Sequence, residues 1–178
     1  MNFDKFLTYS IAASSSLKAE DIKLATDGTD FDISYLGNPY HVHMSLLGKY
    51  NVYNALAAFS AGMLLGIDPQ QIVTSLGSFH GVSGRMQKVV HHGVNYFVDF
   101  AHTPNALQSA LAFMNSITTG RVIVVFGATG KRDFYKRPDM GRIAHENADI
   151  VIVTNDDTYD EDPNGIIADI AVGIPRTE

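Results

Sequence analysis

The chain has 178 residues, of which 46% are hydrophobic and 18% are charged, a composition typical of a globular protein with one domain or two small ones. Its net charge of -6 and the absence of lysine or arginine runs argue against nonspecific nucleic-acid binding, because a phosphate backbone requires a basic face. The lack of cysteine excludes disulfides, thiol nucleophiles and thiolate metal sites, and it fits a reducing compartment.

The distribution of apolar residues predicts a cytoplasmic protein that does not insert into a membrane. No apolar run approaches the roughly 18 residues that a membrane span requires. Residues 1–10 include Asp4 and Lys5, where a signal peptide would be apolar.

Residues 1 to about 45 contain the short β-prone runs and turn residues of a small antiparallel region. The predicted strands cover residues 6–11, 22–25, 31–35 and 41–46. His41 and His43 fall on one face of the last strand. Two histidines without a third ligand are usually surface positions, so we assign them no metal.

A helix is predicted over residues 55–65, after the polar segment 48–54. Asn51 and Asn54 are three residues apart, a spacing that places both amides on one helix face. There they can present hydrogen-bond donors and acceptors to a purine edge. The alternative is that Asn51 caps the helix and Asn54 is solvated.

A glycine- and serine-rich segment, residues 77–84, follows a second short helix over residues 70–76 and is typical of a linker. We place a domain boundary between residues 83 and 84. Arg85 follows the linker directly, and a hairpin within residues 88–100 is expected to open the second domain.

Three apolar runs in the second half predict neighbouring strands of a parallel sheet that is buried on both faces. They are residues 96–100, 122–126 and 150–153. A helix over residues 103–116, with Thr103 as N-cap and Pro104 in its first turn, completes a β-α-β unit. The predicted fold class is therefore α/β.

Polar clusters follow each predicted strand. Asp99 and His102 come after the first strand, residues 127–133 after the second, and residues 155–157 after the third. Because ligands gather at the carboxyl ends of parallel strands, we expect the three clusters to converge on one edge of the sheet.

The glycine-rich segment 127–133 is not a standard phosphate loop, because two residues rather than four separate Gly127 from Gly130, and Arg132 follows Lys131. Its backbone N–H groups could still bind an anion, with added charge from the nearby basic residues. These residues are Lys131, Arg132, Lys136 and Arg137. The alternative is a plain tight turn with a solvated basic tip.

Helices are predicted over residues 138–147 and 163–172, with a cluster of five acidic residues just before the second helix. Asp160, Glu161 and Asp162 stand at the positive end of this helix, where its dipole favours them, and we give them a structural role. Asp156 and Asp157 stand where the strand ends and are better candidates for a binding site.

Five segments, taken in order, carry a family resemblance. They are Gly48-Lys49-Tyr50-Asn51-Val52-Tyr53-Asn54-Ala55, Gly84-Arg85-Met86, Asp99-Phe100-Ala101-His102-Thr103-Pro104, Gly130-Lys131-Arg132-Asp133 with Lys136-Arg137-Pro138, and Glu161-Asp162-Pro163. Each is weak alone, but together they resemble the Mur ligases of peptidoglycan synthesis. The resemblance is closest to the MurE-type tripeptide synthetases, which add the third amino acid to a UDP-muramoyl dipeptide.

The resemblance implies that residues 1–83 are the end of a central ATP-binding domain and that residues 84–178 are an incomplete, Rossmann-like carboxy-terminal domain. The chain would then be an internal fragment, because the family's phosphate loop, UDP-sugar domain, modified lysine and magnesium ligands lie upstream of the matched segments. Alone, it is expected to make no tripeptide, because nothing would hold the γ-phosphate of ATP.

In the family, ATP phosphorylates the dipeptide carboxylate, and the amine of an incoming amino acid attacks the acyl phosphate. The resemblance implies ATP and Mg²⁺ as cofactors, with the metal ligands mostly outside this chain. The implied partners are the UDP-muramoyl dipeptide and a free amino acid. No catalytic residue and no metal ligand is assigned within the chain.

The resemblance also implies roles for residues near the nucleotide. Asn51 and Asn54 would face the adenine, Arg85 and Asp99 would contact the ribose, and His102 would lie close to the nucleotide.

On the amino-acid side, the resemblance implies that Arg132 holds the carboxylate of the incoming amino acid. Relatives that add diaminopimelate have Asp-Asn-Pro-Arg after the third strand, whereas this chain has Asp156-Asp157-Thr158-Tyr159. Tyr159 offers one hydroxyl in place of an arginine fork, and the two aspartates would repel a distal carboxylate. We therefore expect lysine or ornithine rather than meso-diaminopimelate.

Two other functions fit parts of the sequence. A folylpolyglutamate or cyanophycin-type ligase shares the Asp99 and His102 spacing, although Thr103-Pro104 and Lys136-Arg137-Pro138 favour the tripeptide synthetase. A noncatalytic nucleotide-binding module is the alternative from another class.

Overall fold

The computed structural model describes residues 6–175, so Asp4 and Lys5, which argue against a signal peptide, lie outside the described residues. The described chain divides after Val98 into two units. Across residues 6–175, none of the helices combines the length and the apolar character needed to cross a membrane.

The first unit is built on a four-stranded sheet with the order β1-β2-β3-β4. Its strands are β1 (Tyr9–Ser10), β2 (Leu17–Leu24), β3 (Thr29–Tyr35) and β4 (Asn38–Met44). β2, β3 and β4 pair antiparallel, which confirms the predicted antiparallel region. The strand predicted over residues 6–11 is reduced to β1, which runs parallel to β2.

One face of this sheet packs on the helices α1 (Lys49–Leu64) and α2 (Pro69–Ser78). Alternate strand residues such as Phe31, Ile33 and Val42 are buried in this core, as expected for a sheet with one solvated face. The Asp68 carboxylate caps α2 by accepting the N–H groups of Gln70 and Gln71 at 2.9 and 3.1 Å.

A hairpin completes the first unit and corrects one prediction. β5 (Gln87–His91) and β6 (Val94–Val98) pair antiparallel, so the predicted hairpin is confirmed. The prediction that residues 96–100 form a buried strand of a parallel sheet is wrong. His92 and Gly93 both have positive φ, which favours a tight hairpin turn, and β6 pairs only with β5 among the described strands.

The second unit contains a parallel sheet of two strands, β7 (Ile123–Phe126) and β8 (Ile150–Val153). Its helices are α3 (Pro104–Ile117), α4 (Lys136–Asn147) and α5 (Pro163–Ala171). The predicted N-cap of α3 is confirmed, because the Thr103 hydroxyl accepts the N–H of Ala106 at 3.3 Å. The α/β fold class is also confirmed for this unit.

The two faces of the β7–β8 sheet differ in burial. The three helices cover the face that carries Val124, Phe126, Val151 and Val153. The opposite face exposes Ile123, Val125, Ile150 and Ile152, with exposed fractions from 36% to 60%. The predicted burial on both faces is therefore wrong for the described chain, because all three helices of this unit lie on one side.

Helices α4 and α5 approach each other at glycines. A Cβ atom on Gly141 of α4 would overlap the Ile170 carbonyl of α5, and one on Gly173, just after α5, would overlap the Pro138 carbonyl. This close approach allows Arg137 at the start of α4 to reach Asp169 on α5.

We expect Gly141→Ala to lower the free energy of unfolding of the second unit by about 1 to 3 kcal/mol, because the added methyl must push the two helices apart. Urea denaturation followed by circular dichroism measures the change. The matched control is Gly165→Ala in α5, where a Cβ would lie 3.9 Å from the nearest atom. This control should instead gain about 0.5 to 1 kcal/mol from helix propensity. Equal stabilities of the two variants would contradict the close helix contact.

Candidate functional site

The structure brings together the two loops that follow β7 and β8. We call residues 127–135 the β7 loop and residues 154–162 the β8 loop. The Gly130 N–H donates to the Asp157 carbonyl at 2.8 Å, and the Thr129 hydroxyl donates to the Asp156 carboxylate at 3.1 Å. A Cβ on Gly130 would overlap the Thr158 carbonyl, so glycine is required there for the loops to touch.

A network of ion pairs joins these loops to helices α4 and α5. The Arg137 side chain is only 3% exposed, and its two terminal nitrogens each donate at 2.9 Å, one to Glu161 and one to Asp169. The other carboxylate oxygen of Glu161 accepts the backbone N–H of Lys131. Lys131 has a φ of 55°, a left-handed conformation that is uncommon for residues with a side chain. Glu161 therefore holds the β7 loop in a restricted conformation.

The charges in this network stabilise one another. Burial opposes the charge of Arg137, but its hydrogen bonds to Asp169 and Glu161 outweigh that cost and raise the pKa of the guanidinium. The pKa of Glu161 lies below its ordinary value of 4.5, mainly because the Lys131 N–H, and then the Arg137 guanidinium, stabilise the carboxylate.

Most of the basic side chains near the β7 loop are already paired. The Lys131 ammonium lies 2.9 Å from the Asp160 carboxylate, and the Lys136 ammonium donates to the His102 carbonyl at 2.6 Å. Arg137 is buried in its network. Arg132 is exposed, and across residues 6–175 its guanidinium makes no hydrogen bond or ion pair. Its charge is therefore available to a ligand anion.

Two backbone groups of the β7 loop are not available to an anion, because the Gly130 and Lys131 N–H groups are bonded within the protein. At these two residues the structure agrees with the alternative of a tight turn.

Asp99 and His102 do not follow a strand of the β7–β8 sheet. The prediction that three clusters converge on one edge is wrong for this cluster, because β6, which precedes it, is not part of the β7–β8 sheet. The cluster contacts the start of α4 instead, through Lys136 and the His102 carbonyl. The His102 ring donates from Nδ1 to the Phe100 carbonyl at 3.0 Å, so in the neutral ring Nε2 is an acceptor.

In the first unit, α1 begins at Lys49, earlier than predicted, because Gly48 with a φ of 88° provides its N-cap. The alternative in which Asn51 caps the helix is therefore wrong. The Asn51 side chain donates to the Leu47 carbonyl at 2.8 Å and accepts from the Asn54 amide at 3.0 Å. The two amides share one face, as predicted, and Asn54 is exposed.

Arg85 lies on a tight turn in the first unit and is exposed. The Ser83 hydroxyl and the Gly84 N–H both donate to the Gln87 side chain, at 3.1 and 3.0 Å. Gly84 has a φ of 72°, which favours glycine and sets the direction of the chain just before Arg85.

The tip of the β8 loop carries exposed acidic and aromatic side chains. Asp156 and Asp157 are exposed, and the Asp157 carboxylate accepts the Tyr159 N–H at 3.3 Å. Tyr159 is 60% exposed and has a φ of 51°. Asp156, Asp157 and Tyr159 thus present two carboxylates and one phenol to solvent.

The structural role predicted for the acids before α5 is confirmed for Asp162, whose carboxylate accepts the N–H of Asn164 at 3.1 Å and caps the helix. Glu161 belongs instead to the network with Arg137, a contact that the sequence analysis missed. The two residues are far apart in the chain, and only their presence in the matched motifs singled them out.

Among residues 6–175, no group of three or more histidine, aspartate or glutamate side chains could hold a metal ion. His41 and His43 bond instead to Asp32 and Asp30, at 2.8 and 2.9 Å.

Comparison with known families identifies both parts of the chain. The Mur ligase middle domain matches residues 2–62, and the glutamate ligase domain of Mur ligases matches residues 84–178. These matches define a segment of a ligase that includes parts of two domains. The chain belongs to the Mur ligase family.

Relatives in this family carry a specific name. The UDP-N-acetylmuramoyl-L-alanyl-D-glutamate–2,6-diaminopimelate ligase of Lactiplantibacillus plantarum is 40% identical over 173 residues, which cover 97% of this chain and 35% of that protein. A solved structure with the same enzyme name is 35% identical, has a TM-score of 0.62, and covers 95% of this chain and 35% of that one. The predicted resemblance is confirmed, and the chain spans 35% of the length of these relatives.

The folylpolyglutamate alternative is supported only at the level of the fold. A structure of folylpolyglutamate synthase from Thermotoga maritima is 20% identical, with a TM-score of 0.67, and covers 87% of this chain and 37% of that one.

We expect the stability of the second unit to fall as the pH drops below about 4.5. The folded state lowers the pKa of Glu161, so its contribution is complete above the ordinary pKa and is lost as the pH falls through the lower folded value. Urea unfolding from neutral pH to about pH 3 measures this dependence. Glu161→Gln should be less stable at neutral pH and should show a shallower decline. Parallel pH profiles for the two proteins would contradict the network.

Proposed function

We propose that the protein carrying this segment is an ATP-dependent ligase that adds the third amino acid to UDP-N-acetylmuramoyl-L-alanyl-D-glutamate in peptidoglycan synthesis. The observation that carries the proposal is the exposed guanidinium of Arg132, which has no hydrogen-bond or ion-pair partner among residues 6–175. Arg132 lies on the β7 loop, whose Lys131 N–H is bonded to Glu161. It lies in a chain that is 40% identical to a protein named for this reaction.

The proposed chemistry depends on positioning and charge. ATP would phosphorylate the dipeptide carboxylate, and the amine of the amino acid would attack the acyl phosphate. Arg132 would bind the carboxylate of the amino acid through two parallel hydrogen bonds, which a planar guanidinium is suited to make. Mg²⁺ would screen the phosphate charge when bound, with its ligands mostly outside this chain.

The proposed nucleotide contacts are those that the resemblance implies. The hydrogen-bonded amides of Asn51 and Asn54 offer a fixed arrangement that is suited to an adenine edge. Arg85 and Asp99 are proposed to contact the ribose, and His102 to lie near the nucleotide. In support, all three side chains are exposed.

We expect Asp99→Ala in the full-length enzyme to raise the KM for ATP. Losing a carboxylate that accepts bonds from sugar hydroxyls costs about 1.5 to 3 kcal/mol, or roughly 10-fold to 100-fold. Steady-state kinetics with varied ATP measures the effect.

The fold should survive this substitution, because Thr103 rather than Asp99 caps α3. Asp139→Ala, which removes an exposed carboxylate within α4, is the control and should leave the KM for ATP unchanged. A loss of stability in Asp99→Ala without a change in KM would contradict the ribose contact.

The proposal also includes the amino acid, which we expect to be lysine or ornithine. The names of the relatives favour diaminopimelate, whereas the exposed Asp156 and Asp157 favour a cationic tail over a second carboxylate. Leaving a buried distal carboxylate unpaired should cost about 2 to 4 kcal/mol, or roughly 30-fold to 1,000-fold in kcat/KM. A competition assay with equal lysine, ornithine and diaminopimelate measures the preference.

A substitution makes this test sharper. Tyr159→Arg should shift the product toward diaminopimelate, because it supplies the missing guanidinium, whereas Tyr135→Arg, at an exposed site of the β7 loop, should not. If the unmodified enzyme makes mostly diaminopimelate product, the specificity assigned to Tyr159 is wrong.

A further inference from the structure

We propose that Arg137 and Glu161 are positioning residues that direct Arg132 toward the carboxylate of the incoming amino acid. This inference rests on the proposed function, because it takes the ligand of Arg132 from there. Neither Arg137 nor Glu161 touches substrate in this proposal. They act through the backbone of the β7 loop.

The positive charge of Arg137 is buried. The Arg137 side chain is 3% exposed, and its Nε atom is buried without a hydrogen-bond partner among the described residues. Replacing a buried ion pair with well-packed apolar side chains often leaves stability unchanged or improves it. A gain in stability therefore explains poorly why position 137 carries an arginine. The fixed geometry of the guanidinium, which binds two carboxylates in set directions, explains it better.

The two carboxylate oxygens of Glu161 accept hydrogen bonds from different partners. One accepts from Arg137 at 2.9 Å, and the other accepts the backbone N–H of Lys131. The carboxylate thus bridges a side chain of α4 and the backbone of the β7 loop. If the bridge is broken, the Lys131 N–H loses its acceptor.

The bridge affects Arg132 through the backbone of Lys131, the residue before it. Lys131 holds a φ of 55°, and such conformations persist where the surroundings fix them. Gly130 cannot adjust freely, because its N–H bonds to Asp157 and its Cα lies against the Thr158 carbonyl. A change in the backbone of Lys131 must therefore change the direction in which the next residue, Arg132, leaves the loop.

Asp169 provides a matched comparison. It also pairs with Arg137 at 2.9 Å, but it lies on α5 and has no bond to the β7 loop. Removing the charge of Asp169 weakens the interactions of the Arg137 guanidinium but leaves the Lys131 N–H bonded to Glu161. A purely structural role for the network predicts similar effects at Glu161 and Asp169, whereas a positioning role predicts different ones.

The experiment compares Glu161→Gln with Asp169→Asn in the full-length enzyme. Lys131 and Arg137 bind different oxygens of Glu161, and in glutamine one of these becomes an amide NH2 that cannot accept from the donor it faces, so the bridge must break. An asparagine at position 169 can still accept from Arg137. We expect Glu161→Gln to raise the KM for the amino acid roughly 10-fold or more with the KM for ATP unchanged, and Asp169→Asn to change neither by more than about twofold.

Hydrogen exchange gives a readout that does not depend on activity. The Lys131 N–H should exchange faster in Glu161→Gln than in the unmodified enzyme, and at an unchanged rate in Asp169→Asn. If Glu161→Gln does not fold, Glu161→Asp replaces it, because its shorter side chain keeps the charge but cannot span both partners. An intermediate rise in the KM for the amino acid is then expected.

Equal effects of the two substitutions on the KM for the amino acid, or an equal rise in the KM values for all substrates of Glu161→Gln, would overturn the positioning role. Unchanged exchange of the Lys131 N–H in Glu161→Gln would do the same. Failure of the proposed function is distinct, because the unmodified full-length enzyme would then make no tripeptide.

Discussion

The ion pair between Arg137 and Glu161 is the contact on which the geometry of the candidate site depends. It joins helix α4 to the β8 loop, and the same carboxylate binds the backbone of the β7 loop. Arg137 also pairs with Asp169 on α5, which approaches α4 closely at Gly141. If Glu161 positions Arg132 as we propose, this ion pair contributes to where the β7 loop places its exposed arginine.

The basic residues near this site differ in whether their charge has a partner within the protein. Lys131, Lys136 and Arg137 all have partners within the protein, whereas Arg132 has none among residues 6–175. Their sequence would suggest a general basic patch with several equivalent anion-binding groups. The structure instead presents one guanidinium, which suits recognition of a single carboxylate better than binding of an extended polyanion.

The sequence predicted features that depend on local chemistry. Thr103 and Pro104 begin α3 where their types predict, and the two apolar runs that became β7 and β8 do pair in parallel. The start of α1 was missed because Gly48 caps the helix through its backbone conformation, which a glycine in sequence does not specify.

Features that depend on long-range packing could not be predicted in the same way. The apolar run of residues 96–100 looks the same in sequence whether it pairs in a hairpin or in a parallel sheet, and the turn at His92 and Gly93 decided its partner. The contact between Arg137 and Glu161 likewise joins two residues that are 24 positions apart in the chain. The matched motifs contain both residues, but only the structure shows the distance between them.

The exposed face of the β7–β8 sheet affects the solubility of this segment. Four branched apolar side chains, Ile123, Val125, Ile150 and Ile152, lie together on it, and in the described chain each strand also leaves one edge unpaired. Such surfaces and edges associate with each other in water. A preparation of this segment alone should therefore scatter light increasingly with concentration, and Val125→Lys or Ile152→Lys should improve its solubility without disturbing the loops that carry the candidate site.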